Sequence, residues 1–301
     1  MNQPTNTTLK RFRLGISLCL PIEEVAMQYI QWWGDFKLLE GQAISWAIGE
    51  RSIVIERKVS EWNTWNNESA HELWEPLTFS VPDAQQHQDV LTEASEAVGL
   101  NKAKTLTRHL QQYTCDTLHI APALADRSMV VRLSSPVRVL AGEKIRIYVS
   151  TPLWFQASVM PGKLMMLDIP FWRPSDSWFG ANTRDGEFCY AKYTDARLQL
   201  NLLAPRVHRA ITPIEINNKR DAALDIERLN IPVPLLSLYS DKQYQLWTQM
   251  LTVTRDEGND LAEIQLSKQA PEEAEKASIV AEPRIKIEKH AFTKALSSLF
   301  A

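Results

Sequence analysis

The dominant pattern along the chain is an alternation of apolar and polar residues with a period of two. It recurs in short runs at residues 53–55, 129–133, 145–149, 214–216 and 224–226. Half-buried antiparallel strands explain such runs. Proline and polar residues separate the runs, and no strand–helix–strand alternation appears. The pattern therefore predicts an all-β fold built from antiparallel β-sandwich domains of immunoglobulin-like type.

Three polar turns between these runs predict β-hairpins. The first would join residues 43–46 to 52–55 through 49–51, and the second would join 214–216 to 224–226 through 217–221. The third would join 246–254 to 261–266 through 255–260. Each turn is rich in Gly, Asn, Asp or other polar residues that favour tight reversals of the chain.

Changes in composition suggest a division of the chain near residues 121–127. We expect an N-terminal β domain at 8–120 with an irregular polar insertion at 63–112, and an immunoglobulin-like sandwich at 121–268. A linker and a C-terminal helix would follow at 269–301. A single continuous β-structure is the alternative. Residues 84–98 are the best internal helix candidate, and 14–20 are interpreted as a first strand rather than a signal peptide.

An amphipathic pattern closes the chain. Apolar residues recur at helical spacing, at Phe292, Ala295, Leu296, Leu299 and Phe300. The pattern predicts a short helix with one apolar face. Because a helix of about a dozen residues is marginal alone in water, it needs a surface to dock on. We expect Phe292, Leu296 and Leu299 to be its binding anchors.

Charge and composition exclude several classes of function. The net charge of −3 over 301 residues gives no basic field for nucleic acid. No apolar run approaches the ~20 residues that span a bilayer. Three widely spaced cysteines predict neither a disulfide framework nor a zinc site, and suggest reduced thiols in the cytoplasm. The common nucleotide-binding, hydrolase and metalloprotease motifs are missing, so we predict no cofactor, no metal and no catalytic residue.

The densest polar stretch, residues 176–187, is the best candidate for a site. It carries Asp176, Trp178, Arg184 and Glu187, which we predict to be binding residues on a loop. These groups could form a recognition surface, or an acid/base pair in a cleft. The alternative is a structural loop in which Asp and Asn cap turns and Arg184 pairs with a carboxylate internally.

Two other groups of residues have a functional and a structural interpretation. The cations at 206–209 could face an anionic partner, although a solvated strand entry is the simpler interpretation. Trp62, Trp65 and Trp74, with Trp178, could form a stacking platform for sugars, but core packing is favoured. Cys189 is interpreted as a buried strand residue rather than a nucleophile.

Four runs together resemble a known family: 149–154 (VSTPLW), 177–180 (SWFG), 183–190 (TRDGEFCY) and 228–234 (RLNIPVP). They resemble the prokaryotic domain of unknown function 432 family, a group of uncharacterised β-rich cytoplasmic proteins. The resemblance covers roughly residues 120–266. It implies gene neighbourhood with small-conductance mechanosensitive channels, and hence an accessory role beside such a channel. It supplies no catalytic residues.

These observations favour a non-enzymatic binding or accessory protein that engages another protein. The cytosolic part of a mechanosensitive channel is the named candidate, at the inner face of the membrane. Peripheral membrane binding of the C-terminal helix, helped by Lys286, Lys289 and Lys294, is a variant. The alternatives are a hydrolase that uses the Asp176–Glu187 loop and a carbohydrate-binding module that uses exposed tryptophans. The sequence leaves the oligomeric state open.

Overall fold

The part of the chain that the structure describes consists mainly of strands. The computed structural model describes residues 31–48, 51–67, 105–160, 163–172, 174–180, 184, 186–193, 196–203, 206–257 and 262–286. Within these ranges the strands are β1 Gly34–Lys37, β2 Ala43–Ile48, β3 Arg51–Arg57, β4 Glu61–Asn67, β5 Thr105–Leu110, β6 Thr117–Ala123, β7 Met129–Val139, β8 Lys144–Pro152, β9 Trp154–Val159, β10 Leu164–Pro170, β11 Ser175–Gly180, β12 Gly186–Tyr193, β13 Ala196–Arg197, β14 Arg209–Asn218, β15 Leu224–Ile231, β16 Leu238–Ser240, β17 Leu246–Thr248, β18 Leu251–Arg255, β19 Glu263–Leu266 and β20 Ser278–Ala281. Two single-turn 3-10 helices lie at Leu200–Leu202 and Val233–Leu235.

The strands form four sheets. Sheet A has the order β1-β6-β9-β10 and sheet B the order β2-β3-β4-β5, both with antiparallel pairs. Sheet C has the order β11-β12-β7-β15, and sheet D the order β13-β8-β14-β17-β16-β20, with β18 between β14 and β19. Most pairs are antiparallel, but β12 runs parallel to β7, and β14 runs parallel to both β17 and β18.

Sheets C and D contribute side chains to one shared hydrophobic core. Val131 on β7 and Leu229 on β15 come from one sheet, and Ile147 on β8 and Ile214 on β14 from the other. All four are at most 2% exposed. The alternation seen in the sequence therefore places one face of each sheet in the core and confirms the predicted all-β class and antiparallel sandwich.

Sheets A and B are joined by a cluster of aromatic rings. Phe155 on β9 lies at the centre of this cluster, with its ring centroid 5.2 Å from that of Trp46 on β2. Trp32 stacks on Phe155 at 5.9 Å, and Phe171 meets it edge-on at 6.0 Å. The indole nitrogen of Trp46 donates to the carbonyl of Trp32 at 3.1 Å, so its polar group is satisfied inside the core.

Two of the three predicted hairpins are confirmed. β2 pairs with β3, and β18 pairs with β19, both antiparallel. The predicted hairpin at 214–226 is wrong, because β14 belongs to sheet D and β15 to sheet C. Asn218 explains the crossing: its side chain is fully buried and donates to the carbonyls of Val139, Leu140 and Ala222 at 2.9–3.1 Å. It thereby fixes the chain between the two layers.

Strands cross the predicted boundary and enter the predicted insertion. β6 runs through residue 121 and pairs with β1 on one side and β9 on the other. β4 and β5 lie partly or wholly within 63–112 and pair with each other. The helix predicted at 84–98, the strand at 14–20 and the C-terminal helix with Phe292, Leu296 and Leu299 lie outside the described residues.

Residues 271–277, which the composition predicted to be a linker, pack on sheet D. Ala274 is 5% exposed and belongs to a buried cluster with Tyr148, Ile211 and Trp247. The carboxylate of Glu273 accepts hydrogen bonds from Arg146 at 2.9 Å and from Tyr148 at 2.7 Å. Burial raises the pKa of Glu273, but the hydrogen bonds from Tyr148 and Arg146 outweigh it, so the net pKa lies below its ordinary value.

Replacing Glu273 with glutamine should reduce the acid sensitivity of folding. A carboxyl group with a lowered folded-state pKa stabilises the fold above its ordinary pKa of 4.5, and this contribution is lost as the pH falls through the folded value. The stability difference between wild type and Glu273→Gln should therefore be largest near pH 7 and shrink below about pH 4.5. Urea unfolding at several pH values measures it. The exposed neighbour variant Glu272→Gln should keep the wild-type profile, and a pH-independent difference for Glu273→Gln would contradict the assignment.

Candidate functional site

The polar stretch at 176–187 is a β-hairpin rather than a loop. β11 pairs antiparallel with β12, with Asp176 beside Tyr190, Trp178 beside Phe188, and Phe179 beside Glu187. The other edge of β12 pairs in parallel with β7, which anchors the hairpin in sheet C. β11 is the outermost strand of that sheet among the residues that the structure describes. The hairpin thus projects its side chains from a fixed β-scaffold.

The register places the two candidate carboxylates on opposite faces of the hairpin. Side chains alternate along each strand, and residues paired across the ladder share a face. Asp176 and Trp178 therefore share a face with Phe188 and Tyr190, whereas Glu187 lies on the face of Phe179. Asp176 and Glu187 do not converge, so they do not form the acid/base pair that the sequence allowed.

The face of Asp176, Trp178, Phe188 and Tyr190, together with Arg127, is named the aromatic face. Trp178 is 37% exposed and Phe188 is 69% exposed. Their rings meet edge-on, with centroids 5.2 Å apart and planes at 85°. A Cβ atom at Gly186 would lie 2.8 Å from Cε2 of Trp178, so a glycine there lets the indole lie flat against the hairpin. The exposed rings therefore hold a defined geometry.

Arg127 organises the base of the aromatic face. Its guanidinium donates to Oδ1 of Asp176 at 3.1 Å and lies 5.3 Å from the centroid of the Tyr190 ring. The Tyr190 hydroxyl donates to Oδ1 of Asp126 at 2.9 Å. Burial, followed by the hydrogen bond to Asp126, raises the pKa of Tyr190. Because an exposed ion pair contributes little stability, Arg127 and Asp176 mainly set the direction and charge balance of this surface.

The opposite face of the hairpin is sealed. Phe179 and Cys189 are fully buried and contact Val130 on β7. The guanidinium of Arg228 lies 5.1 Å from the Phe179 ring centroid. Burial and then the charge of Glu187 raise the pKa of the Cys189 thiol to about 11. Cys189 is thus a protonated, buried strand residue, as the sequence indicated.

Glu187 belongs to this sealed face. Its Oε1 accepts a hydrogen bond from the side-chain amide of Asn230 on β15, which ties β12 to the far strand of sheet C. Arg184 is exposed in the connection between β11 and β12. Of the four predicted residues on the hairpin, the structure therefore brings together Asp176 and Trp178, and places Glu187 on the other face.

The remaining candidates have mainly structural positions. Trp62 is fully buried, and Trp65, three residues further along β4, points to the other face of sheet B, so the two do not form a common platform. Trp74 lies outside the described residues. Arg209 is 5% exposed, and its Nε donates to Oγ of Ser150 at 2.5 Å. At Arg209, the cation cluster is thus neither a solvated strand entry nor an open anion site.

Phe188 and Arg127 belong to the site, but the sequence pattern did not predict them as site residues. The signal for Phe188 was available, because Gly186, Phe188 and Tyr190 alternate on β12 as Asp176, Trp178 and Gly180 do on β11. Treating 176–187 as one loop hid that alternation. Arg127 is far from the hairpin in sequence and reaches it only through the parallel pairing of β7 with β12.

In the described ranges, no three His, Cys, Asp or Glu side chains are grouped as metal ligands. None of the helices in that part of the chain is long and apolar enough to cross a bilayer.

Comparison with known proteins places the chain in a family. No curated protein and no solved structure matches it. A family model matches residues 32–300, which include every strand described above and the whole aromatic face. The chain therefore belongs to the protein family of unknown function DUF432.

Proposed function

We propose that this chain is a non-enzymatic binding protein that engages another protein through the aromatic face of the β11–β12 hairpin. The observation that carries the proposal is the exposed Trp178–Phe188 pair, held edge-on at 5.2 Å on a strand ladder anchored to the core. Exposed tryptophan and phenylalanine are enriched at the centres of protein interfaces, where they bury large apolar areas.

The surroundings of the pair fit a protein partner. Arg127 and Asp176 provide a polar rim with both signs of charge beside the two rings. Such a rim surrounds the apolar centre of ordinary protein interfaces. The rings are also preorganised, so binding orders few side chains and loses little conformational entropy. A sugar platform would instead need coplanar rings, and these two rings stand at 85°.

The proposed partner is the cytosolic part of a mechanosensitive channel subunit. The family resemblance supports this choice, since it implies an accessory role beside such channels. The proposal includes a cytoplasmic location at the inner face of the membrane, reached through the partner. The apolar stripe with Phe292, Leu296 and Leu299 would provide a second contact, as an amphipathic helix docked in a groove of the partner.

The test removes the two exposed rings and measures channel binding. Full-length protein with Trp178→Ser and Phe188→Ser should lose co-purification of the channel from native membranes, as measured by quantitative mass spectrometry. Loss of two anchor rings should lower recovery at least ~10-fold, because each central aromatic contributes 1 kcal/mol or more. The matched control is Leu110→Ser with Tyr113→Ser, which removes apolar residues that are 75% and 81% exposed near another sheet. The control should bind like wild type.

The outcomes separate the parts of the proposal. Failure of the wild type to recover a channel would reject the channel as partner. Equal recovery by wild type and the Trp178/Phe188 variant would reject the aromatic face. Deletion of residues 289–301 tests the second contact: it should weaken recovery while the protein remains folded by circular dichroism. Unfolding on deletion would assign that segment to the protein's own core instead.

A further inference from the structure

A cleft of about 650 Å³ lies in sheet D, away from the aromatic face. β14 pairs with β17 and then, further along, with β18. On the side away from β14, β16 pairs with β17, and β19 pairs with β18. β16 and β19 thus occupy one row of the sheet, and the cleft opens at the junction between them.

The cleft runs along an edge of β19 rather than over a face of the sheet. Every residue from 262 to 268 lines it. Side chains of a strand alternate between two faces, so a run of consecutive lining residues requires that the cleft follow the strand edge. Within the described residues, β19 has a strand partner only on its β18 side. The outer edge of β19 therefore faces the cleft.

The backbone pattern shows which groups this edge presents. The amide of Ser267 donates to the carbonyl of Met250 at 3.0 Å, so its backbone groups point toward β18. Because direction alternates along a strand, the N–H and C=O of Gln265 also point toward β18. Those of Ile264 and Leu266 point the other way, into the cleft. An edge with such groups is a template for another strand.

Side chains at the junction add polar groups with a fixed orientation. Gln249 is 8% exposed, and its Oε1 accepts the backbone hydrogen of Ser237 at 2.7 Å. This bond turns the Nε2 donors of the same amide away from Ser237. Glu263 and Lys268 are exposed at the two ends of the lining segment and carry opposite charges. The cleft thus combines an open strand edge, an oriented amide and a charged group at each end.

We propose that the outer edge of β19 binds an extended peptide segment of a partner protein by β-strand addition. The segment pairs with the outward N–H and C=O groups of Ile264 and Leu266. It carries a basic residue toward Glu263 and an acidic residue toward Lys268, and Gln249 donates to one of its carbonyl groups. This site is independent of the aromatic face, because it lies on a different sheet and uses backbone pairing rather than aromatic burial.

The probe is a phage-displayed library of random octapeptides, selected on the full-length wild-type protein. A four-residue edge extends about 13 Å, which an extended octapeptide covers with residues to spare for both charged ends. Selected peptides should share a basic residue near one end and an acidic residue near the other end. Affinities of the best peptide are then measured by fluorescence polarisation. A selection that enriches no peptide rejects the site.

Leu266→Pro tests the backbone pairing directly. Proline removes the outward N–H without removing a bond to β18, and proline is tolerated on edge strands where its nitrogen faces outward. Peptide affinity should fall at least ~10-fold, because the variant loses one hydrogen bond to the peptide and its proline ring blocks the peptide sterically. The matched control Leu266→Ala truncates the same side chain, keeps the N–H, and should bind like wild type. Equal binding by both variants would overturn the proposal.

A second variant covers the case in which Leu266→Pro does not fold. Gln249→Glu keeps an oxygen that can accept from Ser237, but it replaces the Nε2 donors with a second acceptor and adds a negative charge, so it should also weaken peptide binding. Amide hydrogen exchange gives an independent measurement: Ile264 and Leu266 should exchange quickly in the free protein and become protected with peptide, whereas Gln265 is protected throughout. Protection in the free protein that persists on dilution would show that the chain fills its own edge. Protection lost on dilution would identify a second copy. Either result overturns the proposal.

Discussion

Phe155→Ala is expected to lower the free energy of unfolding by about 4 kcal/mol. Phe155 is fully buried on β9. Its ring contacts Trp46 from sheet B at 5.2 Å and Trp32 at 5.9 Å. Removing the ring leaves a cavity between large, rigid neighbours that cannot collapse into it, and it removes aromatic pairs worth about 0.5–1.5 kcal/mol each. Urea unfolding followed by tryptophan fluorescence measures the loss.

A conservative substitution separates the cavity from the ring geometry. Phe155→Leu keeps most of the volume and should cost about 1–2 kcal/mol, because it loses mainly the edge-on and stacked contacts. Total stabilities of folded domains are about 5–15 kcal/mol, so the alanine variant loses a large fraction of the total. A loss below 1 kcal/mol for Phe155→Ala would mean that the aromatic cluster is not a cooperative part of the core.

Asn218→Ala is expected to destabilise the protein by about 3 kcal/mol. The Asn218 amide donates to the carbonyls of Val139, Leu140 and Ala222, and the Arg220 backbone amide donates to its Oδ1 at 3.3 Å. Alanine leaves these groups without partners at the point where the chain leaves β14 of sheet D and leads to β15 of sheet C. Each buried, unpaired polar group costs about 1–3 kcal/mol. The loss in free energy of unfolding should therefore exceed the loss from substituting a turn residue on the surface. Chemical unfolding at neutral pH measures it.

Asn218→Asp is the matched comparison. It keeps the shape but replaces the donating amide group with a carboxylate oxygen that faces three carbonyl oxygens. Burial and these acceptors should raise the pKa of the new carboxyl group above its ordinary value. A group with a raised folded-state pKa contributes its stability at low pH and loses it as the pH rises. The aspartate variant should therefore be less stable than the alanine variant at pH 7 and recover on acidification. The same stability at both pH values would contradict the buried contacts of Asn218.

The sequence predicted strands better than it predicted their partners. Alternation marked residues 129–133, 145–149 and 214–216, and each run lies on a strand with one face in the core. Alternation tells which side of a strand is buried, but it does not tell which strand lies beside it. The polar turn at 217–221 therefore predicted a hairpin. In the structure, the Asn218 side chain instead donates to carbonyls at the end of β7 and to the carbonyl of Ala222. A short polar connection can form either a hairpin turn within one sheet or a crossing between two sheets. Only long-range contacts distinguish the two cases.

The site shows the same limit. The sequence directed attention to residues 176–187, and the hairpin there does expose Trp178. What the sequence could not supply was the register, because moving the ladder by one residue transfers every side chain to the other face. The observed register groups Asp176 with Phe188 and separates both from Glu187. Arg127 joins them through tertiary packing alone, for which the local pattern gives no signal.

The position of β14 has a consequence for how the chain acquires its structure. Ile216 on β14 pairs with Ile145 on one side and with Val253 on the other. Such widely separated pairings slow folding, because long loops must close before the contacts that stabilise them exist. During synthesis on the ribosome, β8 is made before β14 and can pair with it, whereas β17 and β18 are made only later. Until then it exposes an apolar strand edge, so the nascent chain passes through an aggregation-prone interval that ends only when the C-terminal strands emerge.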